Sequence, residues 1–150
     1  WSNVAMSRGR VVCAPVATGP LQGFPAEGTL DDLLGFELLE ANGERCTARF
    51  AVERRVQQPF GLVHGGAYAA MAETMVSWAT VIAVAPDGNI AVGMSNSTTF
   101  LRPVTSGHVH AAGSSRHQGR TTWLWDVEFT DDEGKVCALS RVTLAVRPAP

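Results

Sequence analysis

The sequence predicts an α+β domain in which one long helix is held against an antiparallel sheet, and three observations carry that expectation. A helix-forming run rich in Ala, Met and Glu occupies residues 65–84, longer than any neighbouring element. Four strand-like segments follow it in succession, each bounded by turn chemistry, and a short hairpin precedes it. The chain has 150 residues, 45% of them apolar and 17% charged, which suits one domain with one core and leaves too little charge for disorder.

Residues 1–27 are expected to form a flexible N-terminal arm, because Gly9, Pro15, Gly19, Pro20, Gly23 and Pro25 break any period; the domain proper is expected over 28–150. Residues 30–39 read as a helical turn running into a strand, with Asp31 and Asp32 where the helix dipole favours negative charge. Asn42-Gly43 marks a hairpin turn, and residues 46–52 alternate Cys46, Ala48, Phe50, Val52 against Thr47, Arg49, Ala51, the period of a half-buried strand. A connection over 57–63, containing Pro59 and Gly61, leads to His64-Gly65-Gly66, where the long helix begins; Pro86-Asp87-Gly88 ends it. At about 1.5 Å per residue the helix is roughly 30 Å long. Its apolar residues surround most of its circumference, so burial on nearly every side is expected. The strand candidates after it are 90–101, 107–116, 121–130 and 135–146, with hairpin turns at 117–120 and 131–134. A second sheet face carrying Trp123, Trp125, Val136 and Leu139 in part is expected to leave apolar area uncovered, which favours self-association.

Several classes are excluded early. Twelve scattered Lys and Arg against fourteen Asp and Glu give a net charge of −2, so nucleic acid is not an expected partner. The apolar run over 67–85 is interrupted by Glu73, Thr74, Ser77 and Thr80, so no membrane span is expected. Cys13, Cys46 and Cys137 form no CxxC pair and follow no secretory leader, which points to the cytoplasm. His108 and His110 share a strand face, yet no third ligand accompanies them, and no metal is expected. The acidic turn at 131–134 reads as a solvated loop, and no P-loop, GxGxxG or HExxH is present.

The unusual residue is Glu73, an acid midway along an otherwise apolar helix. At 100° per residue Gly66, Ala70, Glu73 and Ser77 fall on one stripe, and its small members leave room above the carboxylate. A carboxylate there either points into solvent at a groove, or caps a backbone group, or does chemistry. His64-Gly65-Gly66 favours the last, because a glycine-led helix start offers free N–H groups and a positive dipole end that an oxyanion can approach closely. An oxyanion donor and a carboxylate are the two parts an acyl hydrolase needs. His64 is a candidate general base, although a ring hydrogen bond fixing the turn is the favoured role. Gly93-Met94-Ser95-Asn96-Ser97 lacks the final glycine of a nucleophile elbow and lies in a strand.

With these residues in place, the sequence resembles the hotdog-fold acyl-CoA thioesterases that carry a catalytic glutamate on the central helix. The likeness rests on the segment from Gly61 through His64-Gly65-Gly66 to Tyr68, on Ala72-Glu73, and on Ser95-Asn96 followed by Phe100-Leu101-Arg102-Pro103. It continues through Thr121-Thr122-Trp123 and Ala145-Val146-Arg147-Pro148, spanning about residues 29–148. It is similar to the 4-hydroxybenzoyl-CoA and phenylacetic-acid-pathway branches. The resemblance implies a five- to six-stranded sheet wrapped around the helix. It implies that the Gly65 amide, with Gly66 beside it, polarises the thioester carbonyl, while Glu73 acts as nucleophile or general base. Ser77 stands where the hydroxybenzoyl branch has threonine, and Gln58 falls on the amide position that holds the thioester. Asp31 falls near the aromatic hydroxyl of that branch, with helix capping as its other role. Trp78 replaces an acidic residue expected near the acyl pocket, which points to another aryl or medium-sized acyl group. Arg102 and Arg147 are implied phosphate contacts for the coenzyme tail, with Arg120, Thr121 and Thr122 adding hydrogen bonds. Such enzymes use no separate cofactor, because CoA is part of the substrate. They pair two subunits so that Glu73 and Gln58 need not share a chain, and the pairs associate into homotetramers. A noncatalytic acyl-CoA-binding regulator and a hotdog hydratase or dehydratase are the alternatives.

Overall fold

The computed structural model describes residues 26–150, so the expected N-terminal arm, except for its last two residues, lies outside the described residues. A short helix α1 (Leu30–Leu34) opens the domain and stops at Gly35, whose φ of 69° is left-handed and whose Cα lies against the Arg55 guanidinium. Strands β1 (Glu37–Ala41) and β2 (Arg45–Ala51) follow, and the turn between them closes when Asn42 Oδ1 accepts the N–H groups of Glu44 and Arg45 at 2.8 Å. The long helix α2 (Gly65–Val84) comes next, then β3 (Asn89–Phe100), β4 (His108–Gln118), β5 (Thr122–Thr130) and β6 (Val136–Pro148). The helix has the bounds expected of it, β2 to β6 each begin and end within two residues of their expected limits, and β1 runs two residues past the expected end at Leu39.

All pairings are antiparallel and give one six-stranded sheet in the order β1-β2-β4-β5-β6-β3. The chain leaves β2, runs the length of α2 and lays β3 at the far edge against β6. One side of β3 pairs with β6 along its length, with a register shift that leaves Met94 without a partner, and the other side is a free edge; Val92 and Met94 are exposed.

The core lies between the sheet and one face of α2. Tyr68, Met71, Met75, Val76, Ala79 and Thr80 point into it. Tyr68 meets Phe129 and Phe50 edge-on at centroid distances of 5.2 and 6.1 Å, and the Trp125 indole N–H donates to Thr80 Oγ1, which itself donates to the Val76 carbonyl. Two expectations are corrected here. The helix is buried along one face only: within a single chain the sheet covers half its circumference, and Glu73 is exposed. Trp123 and Trp125 belong to the inward set of β5 and are buried, stacked at 6.3 Å, whereas Leu139 of β6 does face outward, partly exposed.

By length and composition the segment Gly65–Asp87 is apolar enough to cross a membrane, despite the interruptions at Glu73, Thr74, Ser77 and Thr80. Half of its most apolar 18-residue stretch is buried inside the fold, as befits a core helix. Of the histidines, His110 Nε2 lies 2.8 Å from Asp132 Oδ1, and the other carboxylate oxygen accepts the His108 N–H, which holds the Asp132 carboxyl below its usual range. Among the described residues no group of three His, Cys, Asp or Glu is placed to hold a metal ion. Asp131 Oδ1 accepts the N–H groups of Glu133 and Lys135, so the acidic turn is built by its own side chains.

Candidate active site

The connection into α2 is a braced turn. Gln57 bridges Val63, the Gln58 N–H donates to the Leu62 carbonyl at 2.8 Å, and the Gly61 N–H donates back to the Gln58 carbonyl at 3.0 Å. Gly61 takes a φ of 80°, the conformation that closes such a turn and that glycine adopts without strain. His64 then caps the helix: its backbone is extended and its ring Nδ1 accepts the Gly66 N–H at 2.8 Å. The ring hydrogen bond favoured for His64 is therefore present, and it corrects the expectation for Gly66, whose N–H is already engaged. Gly65 is the first helical residue, so its own N–H has no acceptor within the helix. Its Cα lies under the Phe100 ring, and a Cβ there would stand 2.7 Å from Phe100 Cζ. Gln58, His64, Gly65, Tyr68, Phe100 and Arg102 line one cavity of about 400 Å³.

Glu73 opens into a different cleft, of about 440 Å³, shared with Leu30, Asp31, Thr74, Ser77 and Trp78. Its carboxylate passes over Gly93 of β3, where a Cβ would lie 2.7 Å from Oε1. Asn96 pins the helix one turn earlier, donating to the Ala69 carbonyl at 2.8 Å, and Thr98 holds the Asn96 amide oxygen at 2.9 Å. Asp31 fastens α1 to α2 by accepting the Thr74 hydroxyl at 2.7 Å; its carboxylate makes no cap for α1.

The single chain thus corrects the arrangement inferred from the helical stripe. Eight residues separate Gly65 from Glu73, about 12 Å along the axis. One carbonyl cannot touch both groups of the same chain. The coenzyme candidates divide in the same way. Arg102 lies in the Gly65 cavity. Arg147 is opposite Ile90, ten residues along β3 from Phe100 and so about 33 Å away. There its guanidinium donates to the carbonyls of Thr121 at 3.1 Å and Val146 at 2.8 Å, tying β6 to the turn that carries Arg120 and leads into Thr122.

Three residues with a part in this geometry carry weaker signals in the sequence: Gly93, an isolated glycine inside a strand; Phe100, at the end of the same strand; and Tyr68, whose hydroxyl is buried beside the Cys137 thiol. Burial pushes the Cys46 thiol up to about 12 and also raises that of Cys137, which suits inert core thiols and not nucleophiles.

Residues 60–138 match the family model of the thioesterase superfamily. The proofreading thioesterase EntH of Cronobacter turicensis is 38% identical over 79% of this chain and 86% of its own length. A thioesterase of Pseudomonas aeruginosa, crystallised as a Gln→Ala variant, superposes with a TM-score of 0.78 at 37% identity, over 81% of this chain and 88% of that one. A Staphylococcus aureus protein at 25% identity has been solved as a Glu→Ala variant (TM-score 0.77, 81% of this chain and 100% of that one) and as a Gln→Ala variant described as a thioesterase, the two positions fifteen residues apart. Fold and sequence agree, and the chain belongs to the thioesterase superfamily as a hotdog-fold thioester hydrolase.

Proposed function

We propose that the protein hydrolyses an aryl or medium-sized acyl-CoA, such as a benzoyl, hydroxybenzoyl or phenylacetyl ester, at sites shared between two copies of the chain. The observation that carries this is the division of the site between the two ends of a free edge strand. Gly65, Gln58 and Arg102 lie toward the Phe100 end of β3, whereas Glu73 and Arg147 lie toward its start. Antiparallel pairing of two β3 edges sets the end of one strand beside the start of the other, which brings each half-site to its complement. The same pairing removes the exposed apolar edge from water. Glu73 and Gln58 stand fifteen residues apart, as do the substituted Glu and Gln of the S. aureus thioesterase.

In the paired site the thioester oxygen takes the Gly65 N–H at the positive end of α2, and the Gln58 amide steadies the ester. The Glu73 carboxylate of the other protomer attacks the carbonyl carbon or takes a proton from the water that does. The C–S bond then breaks and CoA leaves as a thiolate, which needs little acid assistance because a thiol has a pKa of about 8.5. The acyl group lies in the Glu73 cleft against Trp78, with the Ser77 hydroxyl one turn from the carboxylate. Arg102, Arg147 and the hydroxyls of Thr121 and Thr122 serve the phosphates and nucleotide, with Arg120 beside them.

Thiol release from benzoyl-, hydroxybenzoyl-, phenylacetyl- and straight-chain acyl-CoA tests the activity. Saturable binding without release would identify a noncatalytic binder instead. Sharing of the site is tested by mixing: Glu73→Ala and Gln58→Ala chains, each inactive alone, are expected to recover about a quarter of the wild-type sites when exchanged one to one, as symmetric two-chain sites require. Gly93 acts as a positioning residue. Gly93→Ala is expected to displace the Glu73 carboxylate and lower kcat roughly a hundredfold, with KM and melting temperature little changed. Full turnover in that variant would show that the close approach of Gly93 to Glu73 does not matter.

A further inference from the structure

Phe60 is 85% exposed, although it is a large aromatic residue only two positions from Gln58. A single exposed apolar residue is ordinary on a protein surface. The setting of this one is not that of a solvated loop tip. Pro59 fixes the backbone before it, Gly61 closes the turn after it, and the turn is clamped by the Gln58–Leu62 and Gly61–Gln58 hydrogen bonds and by the bridge between Gln57 and Val63. The ring is held out from the protein by a braced turn. Nor does it line the cavity of its own chain, although Gln58, Leu62, Val63 and His64 of the same connection all do.

We infer that Phe60 of one protomer forms a wall of the acyl cleft of the other protomer and helps set which acyl groups that cleft accepts. This rests on the shared site proposed above. Two residues of chain span at most about 7 Å. If Gln58 meets a thioester held by the partner chain's glutamate, Phe60 is therefore carried to the same cleft. The cleft offers an aromatic ring two apolar partners, Leu30 and Trp78. A ring presented there narrows the cleft from across the interface, and its loss is felt most by acyl groups large enough to reach it.

The experiment uses the full chain. Phe60→Ala and Phe60→Leu are compared with the parent by kcat/KM on acetyl-, hexanoyl- and benzoyl-CoA, with the oligomeric state measured by light scattering. The ratio of benzoyl to acetyl kcat/KM is expected to fall roughly ten- to a hundredfold in Phe60→Ala, the range a hydrophobic wall contributes to discrimination, and to be partly restored in Phe60→Leu. An unchanged ratio in a properly assembled protein overturns the inference. The mixed pair of Glu73→Ala and Gln58→Ala chains then assigns the ring to its site. Its one live site takes Gln58 from the Glu73→Ala chain, so Phe60→Ala placed on that chain is expected to shift selectivity. On the other chain the change falls at the dead site, and selectivity stays that of the parent pair. The reverse pattern overturns the inference while leaving the shared site intact. Absence of any recovery in the mixed pair overturns the shared site and the inference together.

Discussion

Glu73→Gln is expected to lower turnover by about a thousandfold, in the middle of the range that a positioned acid or base contributes, while the affinity for an acyl-CoA is retained. The substitution is nearly isosteric, so the side chain still passes over Gly93 and the Asn96 bond to the Ala69 carbonyl still fixes the helix beneath it. What is lost is an oxygen able to carry charge toward the carbonyl carbon or accept a proton from water. The groups proposed to hold the ester and the coenzyme lie at other positions, and binding measured by titration is expected to survive. Turnover within tenfold of the parent would remove Glu73 from the chemistry. Single turnover of the parent enzyme in ¹⁸O-water tests direct attack by the carboxylate. Direct attack expels CoA and leaves a Glu73–acyl anhydride. Water that opens it at the glutamyl carbon releases the first molecule of product with an enzyme oxygen and no label, whereas opening at the acyl carbon and direct attack of water on the thioester both label it. Unlabelled first product is therefore the mark of the carboxylate as nucleophile.

The helix and strands were legible because their signals are local. His64 and the glycines after it mark where α2 starts, Pro86-Asp87-Gly88 marks where it stops, and alternation in residues 46–52 and 121–130 marks strands. The pairing of β3 with β6 at the far edge is non-local and leaves no comparable trace. Alternation on β5 also reveals that Trp123 and Trp125 share a side without revealing which side is core. The site was legible in its parts and not in its assembly. Angular periodicity places Gly66, Ala70, Glu73 and Ser77 on one stripe but is blind to axial rise, and the rise is what separates the Gly65 amide from the carboxylate. Gly93 carries a signal available in advance, a glycine interrupting a strand, which reports the close approach of another group without naming it.

Gly65→Pro is expected to lower kcat roughly a hundred- to a thousandfold, the cost of losing one oxyanion donor, in a protein that still folds. Proline is accepted at the first position of a helix, where the missing N–H has no intrahelical acceptor and the fixed φ suits the first turn. His64 before it is already extended, at φ −68° and ψ 134°, which is the conformation a following proline demands. The change therefore removes the one hydrogen proposed to polarise the thioester and little of what holds α2. Gly65→Ala is the matched control. It places a Cβ against the same Phe100 ring, 2.7 Å from Cζ before relaxation, yet keeps the N–H. Phe100 is 56% exposed at the end of an edge strand, so its ring can give way, and the alanine variant is expected to stay within about tenfold of the parent. Because the proline ring also adds a carbon at the nitrogen, the kinetic constants must be separated. A fall in kcat with KM little changed marks lost polarisation of the carbonyl, and a rise in KM alone marks obstruction. Equal kcat in the two variants would mean that the oxyanion is held by some group other than the Gly65 amide.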